Sequence, residues 1–480
     1  MKKIRLLSAV LAMAMLSSIF FGCSQGDNGG SSSEQQTSSS SQNGSSSEAS
    51  GGEAVTLKML YFADSNQEKI IEEACRKYES ETPGVTIETQ VVPGDGTINT
   101  LIPTLVAADN LPDVSFMGEA EVIKYGAKGV LYPLDDMIAS GQIAEKLDAV
   151  TIHGIDGKVY GIGLSNQLQL MFYNKKLFDE AGIEYPPSDI SKAWDWDYFV
   201  EVATKLTKDA NGKTPADEGF DAGITDQYGV AFNSLWQFYH MWAAYANGGG
   251  IVSADGKELL WDKPESLEGI QKVADLVNVN KVAPPVGSAI YSGIGTADQA
   301  LISGDVAMYI NGSWDLANAA IAKADSGVEY GVAALPKMKK AANMNCGGPF
   351  VMYQSTEHPE EAGAFYAFML DPNQVIDIIK TGAWLPNEAS WYTDQDKLDL
   401  WISSDNYGEG AAETIISYST TEGAVAQWPA YYVPGWDAMM SISDSVMDSI
   451  WTGAQTADEA LTPLMPEIRE KFELGAENFS

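Results

Sequence analysis

The sequence predicts an α/β protein built as two lobes, and three observations carry that expectation. From residue 55 onward, strand-like and helix-like stretches alternate with crossovers of about 10–15 residues, the pattern of parallel strands joined by helices. The candidate elements are too many for one sheet of ordinary size. Of the 480 residues, 45% are hydrophobic and 10% aromatic, enough to fill two large cores.

Val55–Tyr61 reads as a strand and Gln67–Glu79 as a helix, with Ile70, Ile71, Ala74 and Tyr78 near one face. Thr82-Pro83-Gly84 breaks that helix. Val85–Val92 follows as a second strand and Ile98–Ala108 as a second helix; Asp113–Phe116 is a short third strand after the turn signal Asn110-Leu-Pro. Further strands are expected at Val159–Leu164, Leu168–Asn174, Tyr228–Phe232, Val306–Asn311, Tyr330–Leu335 and Phe350–Gln354. Helices fill the intervals, and from Pro359 the chain reads as mostly helical.

The first residues stand apart from this pattern. Met1–Arg5 is basic, Leu6–Phe21 is apolar but short for a membrane span of about 20 residues, and Gly22-Cys23 closes the segment. This resembles the leader of bacterial lipoproteins, in which Cys23 would become the lipid-bearing N-terminus, with palmitate among the acyl chains; Phe20 and Phe21 stand where such leaders usually carry Leu and a small residue. Residues 24–53 include 12 Ser and 6 Gly and a single aliphatic side chain, Ala49, so nothing there offsets the entropy of ordering. Such a tether reaches roughly 30 Å.

Composition excludes several functions. With 29 basic against 66 acidic residues, the formal charge is −37 and the isoelectric point about 4.2, which disfavours nucleic acid and anionic lipid surfaces. Three cysteines make no disulfide scaffold, and His153, His240 and His358 lie far apart with no ligand spacing, so neither a metal nor a cofactor is expected. Gly212-Lys-Thr214 lacks the first Gly of a phosphate loop, and Gly94-Asp-Gly96, Gly161-Ile-Gly163 and Gly293-Ile-Gly295 each lack the third Gly of a dinucleotide fingerprint. Cys75 and Cys346 read as buried free thiols.

An ordered series of blocks is more informative. Gly157-Lys-Val-Tyr-Gly-Ile-Gly-Leu164, Leu170–Gly182, Trp196–Ala203, Gly304–Trp314, Tyr330–Pro336, Gly347-Gly348 and Pro359–Phe368 together resemble the extracellular solute-binding proteins of bacterial ABC sugar importers, family 1, the maltose-binding type. The resemblance covers essentially all of 55–480. It implies a periplasmic-binding-protein-like fold: lobe 1 at 55–165 plus 347–385, lobe 2 at 166–346 plus 386–480, and a ligand cleft between lobes hinged at Ser165–Gln167 and Gly347-Gly348.

Sugars are held by aromatic rings against their C–H faces and by carboxylates and amides on their hydroxyls. The resemblance points to Trp314, after Ile310-Asn-Gly-Ser, as a stacking residue, with Asp315 beside it, and to Trp236 and the loop aromatics Tyr431 and Trp436. Core packing is the competing reading for each Trp. In lobe 1, ligands of α/β proteins gather at the carboxyl ends of strands, which selects Asp64 and Glu119; Asn166 and Gln167 stand at the first crossover. Asp113 also reads as a turn-capping residue.

The expected protein is therefore a non-enzymatic receptor. It would be a monomer, lipid-anchored at Cys23 on the outer face of the cell membrane of a Gram-positive bacterium. There it would capture a carbohydrate, an oligosaccharide in the first instance, for permease subunits on other chains. Two alternatives stand beside it: a binding protein for a non-sugar solute such as a polyamine or metal complex, and a surface-attached carbohydrate-active enzyme using a carboxylate pair.

Overall fold

The computed structural model describes residues 54–234, 237–293, 296–402 and 407–478. The leader, Cys23, the Ser/Gly-rich stretch and Trp236 lie outside the described residues.

Thirteen strands are described: β1 (Val55–Phe62), β2 (Val85–Val92), β3 (Val114–Phe116), β4 (Thr151–His153), β5 (Val159–Gly163), β6 (Gln167–Asn174), β7 (Lys208–Asp209), β8 (Thr225–Phe232), β9 (Val306–Gly312), β10 (Tyr330–Ala333), β11 (Asn343–Cys346), β12 (Pro349–Met352) and β13 (Val425–Gln427). They form two sheets. The first runs β2-β1-β3-β12-β5-β4; the second runs β13-β11-β6-β9-β8-β7, with β10 also on β6.

The expected parallel pattern holds where helices make the crossovers. β1 pairs in parallel with β2, from Val55 opposite Val85 to Phe62 opposite Val92, and also with β3. Elsewhere the sheets are mixed. β12 runs antiparallel to both β3 and β5, and β6 runs antiparallel to β9, β10 and β11. The reason is topological: strands that re-enter a sheet from the other lobe, or by a tight turn, return in the opposite direction. Every residue of β6 and of β9 is buried, as central strands require, although Gln167, Gln169 and Asn174 interrupt the apolar run of β6.

The four strands that the sequence reading omits are short. β4, β7 and β13 have two or three residues, and β11 is Asn343-Met-Asn-Cys346, whose asparagines carry no strand signal. Asn343 earns its place by side-chain bonding: its carbonyl accepts from the Gln169 N–H at 3.0 Å and its amide donates to the Gln169 carbonyl at 2.8 Å.

The chain passes between the sheets at residues 164–166, from β5 to β6, and at Gly347-Gly348, from β11 to β12. These passages lie against each other. A Cβ on Gly347 would sit 2.2 Å from the Ser165 carbonyl oxygen, so no larger residue fits there. A third segment, Ala383–Glu388, crosses beside them. The Asn166 N–H donates to the Leu385 carbonyl at 3.3 Å, and Lys146 reaches the Glu388 carboxylate at 2.6 Å with only 3% of its side chain exposed.

Among the described residues, no helix is long and apolar enough to cross a membrane, and no group of three or more His, Cys, Asp or Glu side chains is placed to hold a metal ion.

Candidate functional site

β3, an interior strand of the first sheet, ends at Phe116, and Met117-Gly118 lead from its carboxyl end into the helix Glu119–Ala127. The Gly118 N–H donates to Asn99 Oδ1 at 3.0 Å, which ties the end of β3 to the helix Asp95–Ala107. Opposite, β13 pairs with β11 and so carries Trp428 to the point where the chain leaves the second sheet; the Trp428 N–H donates to the Asn345 carbonyl at 3.2 Å. Pro429–Tyr431 then makes one tight turn. Gly435, in the left-handed region at φ 78°, turns the chain into the helix Trp436–Trp451.

Between these two walls lies an open cavity of about 280 Å³. Asn99, Glu119 and Glu121 line one side; Gln237, Trp428, Trp436, Asp437, Met440 and Asp444 line the other. Trp428 and Trp436 meet edge to face, their centroids 5.3 Å apart at 72°. Asp437, Met440, Ser441 and Asp444 recur at helical spacing along one face of the same helix.

The charge in this cavity is negative. Glu121 is matched by Lys124, whose Nζ lies 2.7 Å from Oε1. Burial raises the Asp437 carboxyl above its ordinary range and the Glu121 charge adds to this, while Lys124 opposes both. The Asp444 carboxyl is raised by burial, against a hydrogen bond from the Gln237 amide. Carboxylates beside indole edges can accept from hydroxyl groups while the rings cover C–H surface.

Of the residues named from the sequence, Glu119 and Trp436 are brought together here. Tyr431 stands directly behind them, 1% exposed, with its hydroxyl against the Gly347 backbone in a geometry short of a full hydrogen bond. Burial, then the Glu119 charge, pushes that phenol well above its ordinary range. Trp314 is partly exposed and does not line this cavity, to which two ring contacts connect it. It tilts against Phe238 at 6.0 Å and 34°, and Phe238 meets Trp428 at 5.8 Å and 80°.

The other named residues are elsewhere. Asp64 caps the helix Ser65–Glu81, accepting from the Asn66 and Gln67 N–H groups at 2.8 and 2.9 Å, and opens onto a separate hollow with Phe62 and Gly94. Asn166 and Gln167 are buried in the crossing segments: Asn166 donates to Tyr392 at 3.4 Å, and Gln167 donates to the Ala383 carbonyl at 2.9 Å and accepts from Ser313. Asp315 is 1% exposed and accepts from Asn311 and Asn318 at 2.5 and 2.7 Å. Asp113 bonds the Lys58 N–H at 2.7 Å and the Thr356 hydroxyl, the turn-capping role.

Comparison with known proteins accords with this two-walled geometry. Residues 73–407 match the family described as bacterial extracellular solute-binding protein. The chain belongs to that family. A relative from Brucella abortus, named as a binding protein, is 26% identical over 395 residues, 81% of this chain and 86% of its own. A maltooligosaccharide ABC transporter solute-binding lipoprotein of Streptococcus pneumoniae is 21% identical over 442 residues, 88% and 91% of the two chains. An ABC substrate-binding protein of Listeria monocytogenes, solved with cycloalternan, superposes with a TM-score of 0.66 at 21% identity, covering 87% of this chain and 99% of that one. The GacH receptor of Streptomyces glaucescens, solved unliganded and with acarbose, gives 0.68 at 19% identity over 88% and 99%. These likenesses establish the two-lobed fold of a solute-binding protein.

Proposed function

We propose that this solute-binding protein captures a carbohydrate, in the first instance an oligosaccharide, for the permease of an ABC importer. The observation that carries the reading is the cavity between the sheets, where Glu119 on one wall faces the Trp428–Trp436 pair and Asp437 on the other. Relatives whose names specify lactose, multiple sugars, arabinooligosaccharides and maltooligosaccharides support the ligand class.

The contact set in this reading is Glu119, Trp428, Trp436 and Asp437, with Tyr431 held behind them at the crossover. Trp314 supports the aromatic wall through Phe238. The lobes are 55–165 plus 347–385 and 166–346 plus 386–480, bending where the three crossing segments meet. Ligand contacts both walls only when they approach, so binding shifts the population toward closure.

The chain acts as a monomer anchored through lipid at Cys23 on a Gram-positive cell surface. The Gly22-Cys23 junction and the name of the pneumococcal relative support the anchor. Cys23→Ser then leaves the protein unprocessed or released, and mass spectrometry that finds an unmodified N-terminus at another residue rejects it. For the ligand, thermal-shift screening of mono- and oligosaccharides against wild type and Glu119→Gln is the test. The reading requires at least one sugar that stabilises the former and, at equal concentration, the latter much less.

A further inference from the structure

Away from the cavity, a chain of polar contacts leads from the core of the second sheet to the first. The Tyr239 hydroxyl donates to Asn311 Oδ1, and the Asn311 amide donates to Asp315 Oδ2 at 2.5 Å. The other oxygen of that carboxylate accepts from the Asn318 amide at 2.7 Å. Asn318 Oδ1 then accepts from the Asn66 amide at 3.2 Å. Asn318 is in the helix Leu316–Ser326, which follows β9 of the second sheet; Asn66 is in the helix Ser65–Glu81, which follows β1 of the first. Asn311, Asp315 and Asn318 are all less than a tenth exposed, whereas Asn66 is exposed.

The order of these bonds gives the last one a direction. A carboxylate only accepts, so Asp315 holds the Asn318 amide nitrogen inward and turns its oxygen outward. The outward oxygen is the acceptor that a donor on the other lobe needs. A buried acid already engaged by neighbouring amides keeps that orientation through the opening and closing of the lobes.

We propose that the Asn66–Asn318 hydrogen bond is a latch of the closed form, which the unliganded chain also populates, and that Asp315 is its positioning residue. The latch rests on the two-lobe reading above but not on the identity of the ligand. Neither Asn66 nor Asn318 lines the cavity. Because it exists only while the lobes are together, its loss lowers the closed population and falls on ligand release rather than on capture.

The test is small-angle scattering of the unliganded chain, with Asn66→Ala and Asn318→Ala separately and together. The latch predicts a larger radius of gyration in both single variants and no further increase in the double variant; unchanged radii overturn it. Asn66 is exposed, so its truncation leaves the core intact even if Asn318→Ala disturbs folding. Stopped-flow release of maltotriose gives the second readout: about a three- to tenfold faster off-rate in either single variant, unchanged association, and no added effect in the double. Additive effects of the two substitutions would also overturn the latch. A wild-type chain that ignores every saccharide would instead count against the carbohydrate reading and leave the scattering result standing.

Discussion

The indole rings of Trp428 and Trp436 meet edge to face at the mouth of the cavity, and each is less than 5% exposed. Two large aromatic residues eight positions apart come together because Pro429–Tyr431 turns the chain and Gly435 redirects it into a helix. They line the cavity wall opposite Glu119, so that apolar ring surface and a carboxylate meet the same space, as a hydroxyl-rimmed ligand needs.

Trp436→Ala is therefore expected to act twice. Removing a ring this buried costs about 3–5 kcal/mol of stability. It also removes one wall of the cavity, so ligand affinity falls by about one to two powers of ten. Chemical denaturation and calorimetry on the same variant check both. Glu119→Gln, at a half-buried helix start, is expected to lose affinity with far less loss of stability.

Gly312 carries a different constraint. A Cβ there would come within 2.1 Å of the Trp314 ring, which lies across the glycine. Gly312→Ala must displace that ring, which also packs against Phe238, and overpacking of this kind costs about 1–3 kcal/mol. The expected result is a lower melting temperature with a changed Trp emission spectrum. A wild-type melting curve would show that the ring is free to move.

His240 gives the fold an acid sensitivity. It is 1% exposed, packs against Trp451 at 5.0 Å, and neither ring nitrogen has a partner. Burial lowers its pKa from 6.5 to about 3. The unfolded chain then binds the extra proton first, so stability is full above about pH 6.5 and declines as the pH falls toward 3, by about 1.4 kcal/mol per unit for one proton. Urea unfolding at several pH values should show one fewer coupled proton in His240→Phe than in wild type.

The sequence makes the framework legible where physics is local. β2, an edge strand, is read to the residue from its β-branched residues between Gly84 and Pro93-Gly94, and the central strands β6 and β9 are read to within one. Glu119, selected at the carboxyl end of a strand, and Trp436, selected by the resemblance, both line the cavity. Asn99, Gln237 and Asp444 are not, since only tertiary packing brings their helices to the cavity. Gln167 and Asp315 show the converse. Polar residues at the predicted crossover and strand end look available, yet buried partners on distant segments already hold them.

Isothermal titration of the wild-type mature chain with a panel of mono- and oligosaccharides tests the central claim most directly. The account predicts saturable one-site binding of at least one saccharide, without turnover, accompanied by a change in Trp fluorescence and lost or weakened by at least tenfold in Glu119→Gln. Binding of a cationic or metal-complexed solute with no response to any sugar would contradict it.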